Sequence, residues 1–199
     1  MAVNFFERKG ISLSPRVYFI DALSYMALGL FSSLLMGLIV KTLGQQLGIE
    51  SFVELGSFAM KPEIVGGAIG VAIAASLKAP PLILFSAVFV GAFGNSLGGP
   101  AGAYVSVLIA VESAKLIYKL TRLDIILVPF ATFIVGYWIA KWIGIPISEL
   151  MKGLGDLINW STEQQPLVMS ILVATLMGLA LTAPISSAAL SFMLGLDGL

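Results

Sequence analysis

The sequence predicts an all-α, polytopic membrane protein: a transmembrane helical bundle with tandem internal repeats, short Pro/Gly-broken helices and interfacial amphipathic helices. Three observations predict it. The 199-residue chain is 58% hydrophobic and only 11% charged, with a mean hydropathy of +1.01, whereas roughly a quarter of the residues of a soluble domain are charged. The stretch from Pro62 to Pro100 is apolar enough for a bilayer interior, yet Lys78-Ala79-Pro80-Pro81 interrupts it, and Gly94 to Pro100 closes it with small and polar residues. The same pattern returns 104 positions later (166 − 62, 184 − 80, 195 − 91): Pro62 matches Pro166, Leu77 matches Leu181, Ala79-Pro80 matches Ala183-Pro184, Gly91 matches Gly195 and Gly94 matches Gly198. Short, interrupted apolar segments at corresponding places in two halves point to a transporter's binding site.

Residues 1–18 form the first region. Phe5, Phe6, Ile11, Leu13, Val17 and Tyr18 are interspersed with Arg8, Lys9 and Arg16, the composition of a segment lying on the membrane with its cations toward anionic headgroups, or of a disordered tail. The stretch M-A-V-N-F-F-E-R-K-G lacks the apolar core and cleavage site of a secretory signal, so the mature protein is expected to begin there.

The first membrane repeat is predicted over 19–122 and the second over 123–199. Phe19 to Leu43 is a span, between Asp21 and Lys41, with Gly29, Ser32, Ser33 and Gly37 on one small-residue side. Gly44 to Lys61 is too polar to cross and reads as an amphipathic interfacial helix. Ile64 to Leu77 is a short helix whose Gly66 and Gly70 make a G-x-x-x-G face for another helix. Pro80 and Pro81 remove two backbone donors and turn the chain. Pro81 to Gly94 is a second short segment, either a crossing or half of a re-entrant hairpin. Asn95, Ser96, Gly98 and Gly99 are then either a surface turn or a break facing substrate. Ala101 to Leu120 is a further span. Leu123 to Trp142 echoes the first span, Gly144 to Gln165 the amphipathic section, and Leu167 to Thr182 and Pro184 to Leu199 the two short helices. The partner of 101–120 is missing from the second copy, so the chain is expected to be part of a longer protein.

Basic residues set the expected orientation. With the N-terminus inside and both short segments crossing, Arg8, Lys9, Arg16, Lys78, Lys115, Lys119 and Arg122 are inside, and Lys41, Lys61, Lys141 and Lys152 outside. The repeats are then parallel. A re-entrant 81–94 would make them inverted.

Composition also excludes several chemistries. Eleven basic and eleven acidic residues balance, leaving no polycationic surface for nucleic acid. The chain has neither cysteine nor histidine, which removes thiol nucleophiles, thiolate metal sites and the usual near-neutral base. No catalytic residue, metal site or cofactor is assigned. The run G-N-S-L-G-G-P-A-G lacks the G-K-[ST] ending of a phosphate loop.

The candidate substrate-binding residues are Asn95, Ser96, Glu112, Lys78, Thr182, Ser186 and Ser187. Glu112 lies inside an apolar run, where a carboxylate is costly unless paired and commonly faces a cavity. It could hold a proton, a cation or substrate hydroxyls, or simply pair with Lys115 three residues on. Lys78, at the meeting of two short helices, could bind an anionic group or snorkel to the surface; Thr182 takes its place in the second copy. Asn95 and Ser96, with Ser186 and Ser187, offer neutral groups suited to hydroxyls, though helix-packing hydrogen bonds also account for serines. Asp21 and Asp124 each precede a span, where capping explains a negative charge.

The stretches F-F-E-R-K-G-I-S-L, Y-F-I-D-A-L-S-Y-M-A-L-G-L-F, G-N-S-L-G-G-P-A-G-A-Y and L-T-A-P-I-S-S-A-A-L together resemble the bacterial membrane proteins of the phosphotransferase-system sugar transporter subunit IIC-like family, including the perfringolysin O regulator-like proteins. The resemblance covers essentially the whole chain as the N-terminal part of a longer member. It implies a multi-pass protein of the bacterial inner membrane, a homodimer in the lipid bilayer, binding and translocating a sugar or other polyhydroxy solute. Phosphotransfer would need a separate phosphocarrier subunit. Two other functions fit the residues: an ion channel or ion-coupled transporter using Glu112, and a membrane sensor without transport.

Overall fold

In the computed structural model the described residues are 9–11, 14–120, 122–162, 170–171 and 174–175. They are helical throughout apart from caps and turns, with no strand among them. Helix α1 runs Val17–Leu47, 31 residues. It contains two wider π-turns, Val17–Asp21 and Phe31–Leu35. At the second, the Ser32 and Ser33 hydroxyls both donate to the Gly29 carbonyl, at 3.0 and 2.9 Å, and such back-bonding competes with the helix ladder. The helix stops at Gly48, whose φ of 68° is left-handed.

Helix α2 is Glu50–Ala59 and α3 is Pro62–Ser76, bent by 54° across the intervening break. Pro62 opens α3 at a position where its missing N–H costs nothing. Helix α4 is Pro81–Ile117. A straight helix of its 37 residues would be about 55 Å long, well beyond a ~30 Å hydrocarbon core. It breaks at Gly99, with φ 61° and ψ −167°. Proline at 100 keeps its predecessor out of the helical region, and glycine accepts the left-handed alternative.

At that break α4 folds back on itself. A Cβ on Gly94 would stand 2.7 Å from the Ala103 Cα and 3.0 Å from the Gly102 carbonyl oxygen; in a continuous helix 94 and 103 would be separated by about 13 Å of rise. The buried positions Ile83, Ala87 and Val90 mirror Ala114, Ala110 and Val107 across the break. The arms 81–98 and 100–117 are therefore an antiparallel hairpin, each arm about 27 Å long. The first arm also packs antiparallel to α3, where Gly66 and Gly70 meet Gly91 and Ala87 backbone to backbone, the close approach that small residues permit.

Helix α5 is Asp124–Ile139. It passes through a π-turn, Ala140–Gly144, into α6, Ile145–Thr162. Pro146 lies just beyond that turn, and a proline removes the hydrogen bond that would otherwise close it. Gly98 packs on the Gly144 backbone, so the crest of the α4 hairpin sits on the π-turn.

Among the described residues, three stretches are long and apolar enough to cross a membrane: Val17–Leu47, Pro81–Ile117 and Asp124–Leu150. The bent pair α2–α3 would add a fourth. The core joins α1, α3, both arms of α4 and α5 through Met26, Leu30, Ile69, Ile73, Ile83, Val107 and Val128. Large apolar side chains cover the outside, among them Phe85, Phe89, Ile125, Phe130 and Trp142, which suits lipid contact.

Two expectations change. Asn95 and Ser96 are not in a turn: α4 continues through them, Ser96 Oγ donating to Ala92 O at 3.0 Å, and the chain breaks only at Gly99. Asp21 does not cap a helix, because helical turns begin upstream of it; it makes no capping bond. The second pair of short segments, 167–182 and 184–199, lies largely outside the described residues.

Candidate functional site

Five charged residues, Lys9, Asp21, Lys78, Glu112 and Lys115, gather where α3 ends, the second arm of α4 ends and α1 begins. Lys115 is the centre. Its side chain is 2% exposed, and its ammonium has three protons to place. They go to Leu77 O at 2.7 Å, Gly10 O at 3.0 Å and Glu112 Oε1 at 3.0 Å. The first acceptor belongs to the C-terminal end of α3, where helix carbonyls lack intrahelical donors and the dipole favours a cation. Lys115 thus joins three segments distant in sequence.

Two further bonds tie the N-terminal region to the same arm. Lys9 Nζ donates to Tyr118 O at 2.7 Å, and the Tyr104 hydroxyl donates to Tyr18 O at 2.6 Å. Two lysines at this end have left-handed backbones, Lys78 with φ 53° and Lys119 with φ 61°. They occupy the corners after α3 and α4, positions where glycine is usual. The Lys119 N–H donates to Asp124 Oδ2 at 2.6 Å, fixing the second corner against the start of α5.

Glu112 spends one oxygen on Lys115. The other, Oε2, is buried with no hydrogen-bond partner among the described residues. A cavity of about 150 Å³ adjoins it, lined by Gly10, Val17, Asp21, Ser76, Lys78 and Glu112 among others. Two carboxylates and two ammonium groups therefore share one small enclosure, one of each already paired. Such a set can accept from hydroxyls through Glu112 and Asp21 and donate through Lys78.

Lys78 and Glu112 are thus brought together. Asn95 and Ser96 are near the crest of the hairpin on its first arm, away from Glu112 on the second. Asn95 Nδ2 donates to Pro62 O at 2.7 Å, while its Oδ1 is buried without a partner among the described residues. Thr182, Ser186 and Ser187 lie outside the described residues. Sequence reasoning missed Asp21 as a cavity residue and Lys115 as the anchor of α3. The 3-residue spacing of Glu112 and Lys115 was the available signal; contacts across 38 and 105 positions had none.

Fold and site define an all-α integral membrane protein whose short helices meet at charged, proline-broken corners. A family model described as "Phosphotransferase system, EIIC" matches residues 20–199. The chain belongs to this family and is a membrane component of phosphotransferase-type transport. No curated protein and no solved structure gave a match.

Proposed function

We propose that the chain binds and translocates a sugar or similar polyhydroxy solute across the bacterial inner membrane, as a multi-pass homodimeric subunit. Membership of the EIIC family over residues 20–199 carries this reading. Glu112 Oε2 and Lys78 would hold solute hydroxyls at one end of the pathway, and Asn95 with Ser96 would form a second station at the other. Thr182, Ser186 and Ser187 would come from a second, parallel repeat. The cavity of about 150 Å³ is smaller than the roughly 300–1,000 Å³ of ordinary ligand sites, so entry requires the corner at Lys78 or the segment at Gly10 to move. Neither histidine nor cysteine is present to carry phosphate, and any phosphoryl transfer would use a separate phosphocarrier subunit.

Uptake of labelled sugars by proteoliposomes tests the site. Glu112→Gln keeps the bond from Lys115 and removes the charge. A charged hydrogen bond is worth about 1.5–3 kcal/mol, so uptake per folded protein should fall by roughly tenfold or more; the melting temperature should fall too, because buried Lys115 loses its counter-charge. Unchanged uptake would remove Glu112 from the site. The presence of Asp21 beside Glu112 in the cavity favours one second reading, a coupling cation. It requires ion flux that collapses in the same variant and ignores sugars.

A further inference from the structure

A different face of the protein carries an aromatic groove. Between the first arm of α4 and α5, Phe89, Val90, Phe93, Phe133, Ile134 and Tyr137 line a depression of about 290 Å³. Its rings bridge the two helices: Phe89 meets Phe133 edge to face at 5.0 Å, and Phe93 meets Tyr137 at 5.5 Å. The series continues through Trp138 and Trp142, at 5.8 and 5.3 Å between successive centroids. The walls are almost wholly apolar, so a hydroxylated solute would leave its hydrogen bonds unmade there.

The depth of the groove in the membrane follows from α5. Asp124 and Lys141 bound its apolar run, about 26 Å apart at ~1.5 Å per residue, close to one hydrocarbon core. Exposed Trp138 and Trp142 beside Lys141 are the residues of a membrane–water interface. Tyr137 and Phe133 then lie roughly 6 and 12 Å below Lys141, at acyl-chain level. Lys141 is exposed, leans over the Tyr137 ring at 6.0 Å from its centroid, and has no carboxylate within ion-pair distance among the described residues.

We propose that this groove is a site for one acyl chain of an anionic phospholipid, whose phosphate is held by Lys141. The chain lies between the Phe89–Phe133 and Phe93–Tyr137 pairs. An unpaired ammonium directly above an apolar slot matches a headgroup with net negative charge better than a zwitterionic one, whose own ammonium it repels. The fit of the protein's own cation, Lys141, at headgroup level over a chain-deep slot favours a lipid over a second copy of the chain, which would have to bury Lys141.

The test uses the full chain with Trp160→Phe, leaving Trp138 and Trp142 as reporters, in phosphatidylcholine vesicles. Brominated phosphatidylglycerol should quench their fluorescence saturably at low mole fraction, several-fold more than brominated phosphatidylcholine. Lys141→Gln should erase that preference, and Ile134→Phe, which fills the slot, should weaken quenching by both. Equal quenching by both lipids with no effect of Lys141→Gln would overturn the proposal. So would absence of quenching, which means that protein fills the groove. A disulfide-linked dimer of Phe93→Cys in this otherwise cysteine-free chain would assign the groove to a second copy instead.

Discussion

At the scale of single residues, Lys115 is the group on which the charged end depends. A buried ammonium is tolerated only when its partners are complete, and here all three are present. Lys115→Met keeps much of the volume and removes every donor. The Leu77 and Gly10 carbonyls and the Glu112 carboxylate are then left without it, and breaking such a pair costs about 3–5 kcal/mol. Thermal unfolding in detergent should show that loss. The double variant Lys115→Met/Glu112→Gln should recover part of it, since the uncompensated charge is gone. If both variants melt like the parent, Lys115 is not the anchor its bonds suggest. The pair was legible in the sequence as a carboxylate and an ammonium three apart in an apolar run. That the ammonium also closes α3 was not, because nothing local to Lys115 encodes Leu77 or Gly10.

Elements meet here through small residues, and the sequence marks where. Gly66 and Gly70 read as a helix-packing face before any partner is known, and the partner is the first arm of α4, at Gly91. Its identity follows from the turn: Pro80 and Pro81 reverse the chain within four residues of Ser76, so α3 lies on the helix that follows it. A Cβ on Gly91 would collide with the Gly66 carbonyl oxygen and approach the Gly70 Cα at 2.7 Å. Backbone cannot yield as a side-chain tip can. Gly91→Val should therefore separate the two helices, costing at least the 1–3 kcal/mol typical of overpacking, and its melting temperature should fall well below that of Val88→Ala on the same helix. The π-turns were not legible. Two of the three arise where serines back-bond or a proline follows, and the hydrophobic pattern is the same for an α- or a π-turn.

For the whole molecule, the fold-back at Gly99 decides which charges share an end of the bundle. Lys78 and Lys115 line one cavity, while Lys9 and Lys119 belong to the same end through Tyr118 and its corner. Pro62, Asn95, Gly98 and Gly144 mark the opposite end, and Lys61 and Lys141 neighbour it in sequence. With both short segments taken to cross, the sequence puts Lys9, Lys78, Lys115 and Lys119 on one side and Lys61 and Lys141 on the other, because the positive-inside rule counts charges at span ends and needs no three-dimensional contact. It left the 81–100 region undecided between a crossing and a re-entrant loop, since that choice depends on where one glycine reverses the chain. The absence of cysteine makes the difference measurable. Single cysteines at Lys78, Lys119, Lys61 and Lys141, in right-side-out vesicles, can be labelled with a membrane-impermeant maleimide. The hairpin requires Lys78→Cys and Lys119→Cys to label from one side, Lys61→Cys and Lys141→Cys from the other. A continuous α4 crossing once would carry its two ends, next to Lys78 and Lys119, to opposite faces, and those two variants would then label from different sides. With positive residues inside, the first pair should react only after the vesicles are opened. Reaction of that pair in sealed vesicles, with the second pair protected, would keep the hairpin and invert its orientation in the membrane.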